Sequence, residues 1–141
     1  MPSQSRNHIL AGCGTHHVGI QTRDWDASLR LYRDVLGMSI VTEFGTPERK
    51  IVLLDIGDGS HIELFQPTAT SPKPGDSAAL DPVSHFALTV ADTRAAIEHV
   101  RASGYRITVE PKDIDLNGLR ATNGRFEGPS GESVEFFQRR P

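Results

Sequence analysis

One short stretch occurs twice in this chain, and the repetition constrains the fold more than any other feature. Thr15-His16-His17-Val18-Gly19-Ile20 returns in altered form as Ser84-His85-Phe86-Ala87-Leu88. Each copy is followed by a helix signal and later by a strand carrying a glutamate, Glu63 in Ser60–Gln66 and Glu135 in Glu132–Gln138. The offsets agree: His17 to His85 is 68 residues, Gly37 to Gly104 is 67, and Gly59 to Gly131 and Glu63 to Glu135 are both 72. Four matches in one order define an internal duplication, so the expected fold is two copies of one supersecondary unit.

The first unit reads β-α-β-β-β. From Thr15 to Thr22, Val18 and Ile20 share one strand face while His17, Gly19 and Gln21 share the other, which is polar and roomy. Asp24 or Asp26 caps a helix to about Leu36, with Trp25, Leu29, Tyr32 and Leu36 as its core stripe and Gly37 as its stop. Strands are expected at Met38–Phe44 and Lys50–Ile56, with a turn at Gly45–Glu48 between them and Gly57-Asp58-Gly59 after them. In Ser60–Gln66, Ile62 and Leu64 alternate against His61, Glu63 and Phe65. Residues 67–82 contain four prolines and read as a linker between modules.

The second unit repeats this order. His85, Ala87 and Thr89 oppose Phe86, Leu88 and Val90 across a strand, and Asp92 caps a helix that turns Ala96, Ile97 and Val100 inward and stops near Gly104. Tyr105–Val109 is strand-like, and Pro111 is expected to begin a longer polar connection. Arg120–Phe126 and Ser133–Gln138 complete the module, with Val134 and Phe136 alternating against Ser133, Glu135 and Phe137. The expected organisation is an N-terminal extension, 1–14, and a single domain, 15–141, made of module one (15–66), the linker (67–82) and module two (83–139).

A chain of 141 residues can bury one core without disulfides. The net charge of -3, with no lysine–arginine run, argues against a nucleic-acid partner. No signal peptide or membrane-length apolar run is visible, which together with one cysteine fits a cytoplasmic location. Nothing around Cys13 suggests an activated thiol.

Two imidazoles and two carboxylates on equivalent strand faces, His17, Glu63, His85 and Glu135, can converge about a pseudo-twofold axis as a nitrogen–oxygen ligand set for a divalent metal. A cation offsets the cost of placing four such groups inside a cavity. His16 adjoins His17 but points to the opposite face, and His85 aligns with His17. His61 shares the face of Glu63, at either the cavity lining or an exposed strand end; His99 is placed on a helix surface. Gly19, Ala87 and Thr89 leave space beside the ligands, and Gln21 is positioned to hydrogen-bond a substrate oxygen. Arg120 and Arg125 are either solvated or available to a substrate carboxylate.

At these motifs the chain resembles the vicinal oxygen chelate superfamily, closest to its glyoxalase-like and methylmalonyl-CoA epimerase-like members. The resemblance covers residues 15–139 and rests on His17-Val18-Gly19-Ile20, Ser28–Gly37, Glu63-Leu64, His85-Phe86-Ala87-Leu88, and Gly128-Pro129-Ser130-Gly131 leading to Glu135. It implies an α+β fold in which paired βαβββ modules form a curved eight-stranded cavity, often in a homodimer, around a divalent metal such as Ni, Co, Zn, Mn or Fe. A fourth ligand at Glu63 implies lyase or isomerase chemistry on a small oxygen-rich substrate, with Glu63 or Glu135 as the base that moves a carbon-bound proton. The same cavity without metal would make a binding protein for an antibiotic or aromatic molecule, and an extradiol-type dioxygenase is a third reading, against which Glu63 counts. Gly128 stands where the resemblance implies an aspartate, and no glutathione or coenzyme A site is recognisable.

Overall fold

The computed structural model describes residue 9 and residues 15–76 and 85–141. The expected N-terminal extension and Cys13, apart from Ile9, and the second half of the linker lie outside the described residues.

Module one runs through β1 (His17–Gln21), α1 (Trp25–Leu29), a π-helical turn (Arg30–Val35), β2 (Ser39–Thr46), β3 (Arg49–Asp55) and β4 (His61–Phe65). Module two repeats the order as β5 (Phe86–Thr89), α2 (Thr93–Ala102), β6 (Ile107–Leu116), β7 (Leu119–Glu127) and β8 (Ser133–Arg139). Each module forms a four-stranded sheet, β1-β4-β3-β2 and β5-β8-β7-β6, with one parallel pair (β1–β4, β5–β8) and antiparallel neighbours. The fold is therefore α+β with two βαβββ modules. The sheets carry no hydrogen bonds to one another among the described residues, so one chain does not close them into a barrel.

The helices start where the caps lie, since Asp24 accepts from Ala27 N–H and Asp92 from Ala95 N–H, both at 3.0 Å. Both end at a glycine in the left-handed region, Gly37 (φ 75°) and Gly104 (φ 95°), where a side chain would be strained. The core stripe of the first helix departs from expectation. Leu31 and Tyr32 are wholly buried, while Trp25, Leu29 and Leu36 pack only partly against the core. The cause is the π-turn: Leu36 N–H donates to Leu31 O, five residues back, at 2.8 Å, which advances the helix face and turns two adjacent side chains inward.

A second difference lies after Val109. The expected polar connection at Pro111 is instead the continuation of β6 to Leu116, joined to β7 by Asn117-Gly118 with φ 52° and 96°. An Asn-Gly pair with positive φ at both positions is the two-residue hairpin turn that matches strand twist. Pro111 is tolerated because β6 is an edge strand whose register shifts between Val109 and Lys112. Likewise β2 extends through Thr46, shortening the turn before Arg49.

The core is one cluster drawn from both modules, including Val52, Leu54, Ile62, Leu64, Ile97, Val100, Phe126, Val134 and Phe136. Polar contacts cross between modules beside it. Tyr32 O–H donates to Glu132 Oε2 (3.1 Å), and Arg30 donates to Tyr105 Oη (2.9 Å) and Ser103 O (3.2 Å). Among the described residues no helix is long and apolar enough to cross a membrane.

Candidate metal centre

Strand register decides which side chains correspond. Along β1–β4, His17 faces His61 and Gly19 faces Glu63; along β5–β8, Ala87 faces Glu135. In each module, therefore, the histidine stands two residues before the position opposite the glutamate. This equates His17, rather than His16, with His85. Burial alternates along β4, where Ile62 and Leu64 are fully buried and Glu63 is half-buried on the opposite face; along β8 Val134 and Phe136 are buried and Glu135 between them is buried as well.

Each module brings its own histidine and glutamate together. His17 Nε2 lies 3.9 Å from Glu63 Oε1, and His85 Nε2 lies 3.0 Å from Glu135 Oε2. The four do not meet within one chain: among the described residues no three His, Cys, Asp or Glu side chains converge as a metal-holding group. The His85–Glu135 pair has the spacing of adjacent ligands, since atoms about 2.0–2.2 Å from one ion sit roughly 3 Å apart, while His17 and Glu63, 3.9 Å apart, supply the same donor types at a wider spacing.

His16 and His61 form a small imidazole cluster with His17 at the strand end. Ring centroids of His16 lie 5.2 Å from His17 and 4.9 Å from His61, and both the main-chain N–H and Nδ1 of His61 approach the His16 carbonyl, at 2.8 and 3.1 Å. His61 is thus tied to His16. His99, exposed on α2, lies with Nε2 2.8 Å from Val35 O. Gln21 is engaged by Arg49, whose Nη2 donates to Gln21 Oε1 at 2.5 Å while its guanidinium covers the Phe65 ring.

The two carboxylates have different surroundings, which the duplication concealed. On β7, Arg125 faces Glu135 and Asn123 lies two pairs further along, opposite Phe137; on β3 the corresponding residues are Leu53, facing Glu63, and Ile51, facing Phe65. Asn123, nearly buried, donates from Nδ2 to Glu135 Oε1 at 2.9 Å, leaving Oε2 directed at His85. The contact fixes the orientation of the carboxylate. Arg125 Nη2 stands 3.3 Å from His85 Nε2 and 3.8 Å from Glu135 Oε2. Arg120, by contrast, donates to Pro141 O at 3.0 Å. Asn123 was missed from the sequence; carrying the alternation of β8 onto the antiparallel strand before it would have placed both Asn123 and Arg125 on the face of Glu135.

At the Gly128–Gly131 turn, a Cβ on residue 128 would lie 2.1 Å from Glu132 Oε1. The carboxylate of Glu132 fills the place a side chain there would take, and it accepts from Ser130 N–H at 2.8 Å. Burial raises its pKa above the ordinary 4.5, and burial also raises that of Tyr32 well above 10.0, with the neighbouring Glu132 charge adding to it.

The family model described as Glyoxalase/Bleomycin resistance protein/Dioxygenase superfamily matches residues 14–136, and the chain belongs to that superfamily. It is 33% identical over 131 residues to YwbC of Bacillus subtilis (strain 168), an uncharacterised protein, covering 87% of this chain and 95% of that one. It is 32% identical over 127 residues to a lactoylglutathione lyase of Haemophilus influenzae, covering 86% and 90%. Among solved structures, a glyoxylase/bleomycin resistance protein/dioxygenase domain from Frankia sp. EAN1pec superposes with a TM-score of 0.75 at 17% identity, covering 91% of this chain and 98% of that one, a likeness of fold.

Proposed function

We propose that the chain is a divalent-metal-dependent enzyme of glyoxalase type, a lyase or isomerase that moves a proton on a small oxygen-rich substrate. The observation that carries this reading is the matched register of two histidine–glutamate pairs, His17 with Glu63 and His85 with Glu135. Because one chain holds the pairs apart, the functional unit is a homodimer in which the first pair of one copy joins the second pair of the other. The resemblance of the chain to lactoylglutathione lyases supports the reaction type.

A divalent cation held by these four side chains would supply positive charge to offset the negative charge that develops as a carbon-bound proton leaves. The protein's residues do the rest. His17 and His85 donate imidazole nitrogens, and Asn123 holds Glu135 in place through Oε1. Glu63, opposite Leu53 and with a side chain 17% exposed, is less restrained and takes and returns the proton.

Metal analysis tests the premise: protein offered Ni, Co, Zn, Mn or Fe should bind one of them at about one equivalent per chain. Failure to bind any, with small aromatic ligands held instead, would replace this reading with a binding protein. Glu63→Gln and Glu135→Gln should each weaken metal binding. At saturating metal, Glu63→Gln should also abolish deuterium incorporation at substrate carbon in heavy water, assayed with lactoylglutathione and a panel of 2-hydroxy carbonyl compounds.

A further inference from the structure

Opposite its glutamate, module two carries a charge where module one carries an apolar side chain. Arg125 occupies the position matched by Leu53, and its side chain is 31% exposed. Its guanidinium lies against His85 Nε2 and Glu135 Oε2, the two atoms assigned above to the cation.

Both contacts converge on one ring nitrogen, which serves as a hydrogen-bond partner to only one of them at a time. With its proton on Nε2, His85 donates to Glu135 and presents no lone pair there to Arg125; with a lone pair on Nε2, it accepts from Arg125 but faces the carboxylate oxygen 3.0 Å away. A dication held by this pair would take the Nε2 lone pair and set a like charge beside Arg125, which favours an anion as the partner of the guanidinium. Space for one adjoins it. Arg125 lines a concavity of about 400 Å³ together with Arg106, Thr108, Val109, Glu127 and Ser133. Arg106 in the same concavity is paired with Glu127, and Arg49 of module one is engaged by Gln21 and Phe65.

We propose that Arg125 is the specificity-determining residue of the site, pairing with a carboxylate of the substrate, which is therefore a small organic acid bearing neighbouring oxygens. A planar guanidinium binds a carboxylate through two parallel N–H donors, a geometry that an uncharged substrate cannot satisfy. The inference rests on the metal reading above, and its test separates the two.

The experiment titrates the full-length, metal-loaded protein with tartronate, whose second carboxylate is free to reach Arg125 when its hydroxyl and first carboxylate face the metal, and with lactate, which lacks that group. The same titrations are made on Arg125→Leu, which installs the residue found in module one, and on Arg125→Lys. Wild type should prefer tartronate by about tenfold or more, the leucine variant should lose that preference with lactate affinity unchanged, and the lysine variant should retain part of it. Metal affinity of Arg125→Leu, measured by competition with a chelator, should be equal to or tighter than wild type. Loss of metal affinity with the tartronate preference intact would make Arg125 a support for Glu135 and overturn the proposal. Failure of wild type to bind metal would remove the reading beneath it, whereas metal binding without any Arg125-dependent preference would sink this inference alone.

Discussion

Glu132 shows how much one side chain decides in this molecule. Its carboxylate is enclosed by the Gly128–Gly131 turn of module two and receives the hydroxyl of Tyr32 from module one, so it links the two halves beside their shared core. Burial raises its pKa, meaning that the folded state favours the protonated form. Its contribution is therefore fully present below the unfolded value and falls as pH rises from about 4.5 through the raised folded value. Glu132→Gln should flatten that part of the stability–pH curve, measured by urea melts from mildly acidic to neutral buffer. Tyr32→Phe should lower stability at neutral pH by about 1–3 kcal/mol, because it withdraws a donor from a buried carboxylate. At this scale the pairing of His17 with Glu63 and of His85 with Glu135 was legible because each residue has a twin. Asn123 has none, its counterpart being Ile51, and a reading built on repetition passes over what only one copy carries. Arg125, in whose place module one has Leu53, was legible as a cation either solvated or available to a substrate carboxylate, but not as a neighbour of His85 and Glu135.

Among the elements, caps and stops were legible wherever a side chain or a glycine acts on its own neighbours, as at Asp24, Asp92, Gly37 and Gly104. The π-turn was not, because it shifts which residues face inward without changing which are apolar: Leu31 is fully buried although the 3.6-residue spacing selects Leu29 and Leu36. The β6–β7 hairpin was missed for a different reason. Pro111 was read as a break, and the Asn117-Gly118 signal that overrides it lies six residues later. Close packing of α2 on its sheet depends on one absence of side chain: a Cβ on Gly124 would lie 2.8 Å from Ile97 Cγ1, in the fully buried core. Gly124→Ala should therefore cost about 1–3 kcal/mol by overpacking. Trimming the opposing side chain makes room, so Gly124→Ala combined with Ile97→Ala should cost less than the sum of the two single changes. Chemical denaturation of all four proteins would read this coupling, and strict additivity would show that α2 shifts as a body instead.

For the whole molecule, the duplication specifies two equivalent sheets but not how they face one another, since the same pair of modules can pair within a chain or across a dimer. The structure keeps the two histidine–glutamate pairs apart, and their union in a dimer makes a prediction that single-chain assembly does not. A variant with His17→Ala and Glu63→Ala loses the first pair, and a variant with His85→Ala and Glu135→Ala loses the second; neither should bind metal tightly alone. In a mixed dimer, both damaged pairs fall at one site and both intact pairs at the other. Equal amounts of the two variants, allowed to exchange subunits, should then recover about one quarter of the wild-type tight metal binding, because half of the dimers are mixed and each carries one complete site of two. Native mass spectrometry would assign the recovered metal to the mixed species. If mixing restores nothing while subunit exchange is demonstrated, each site is built within a single chain, and the two sheets must move together before the cation can bind.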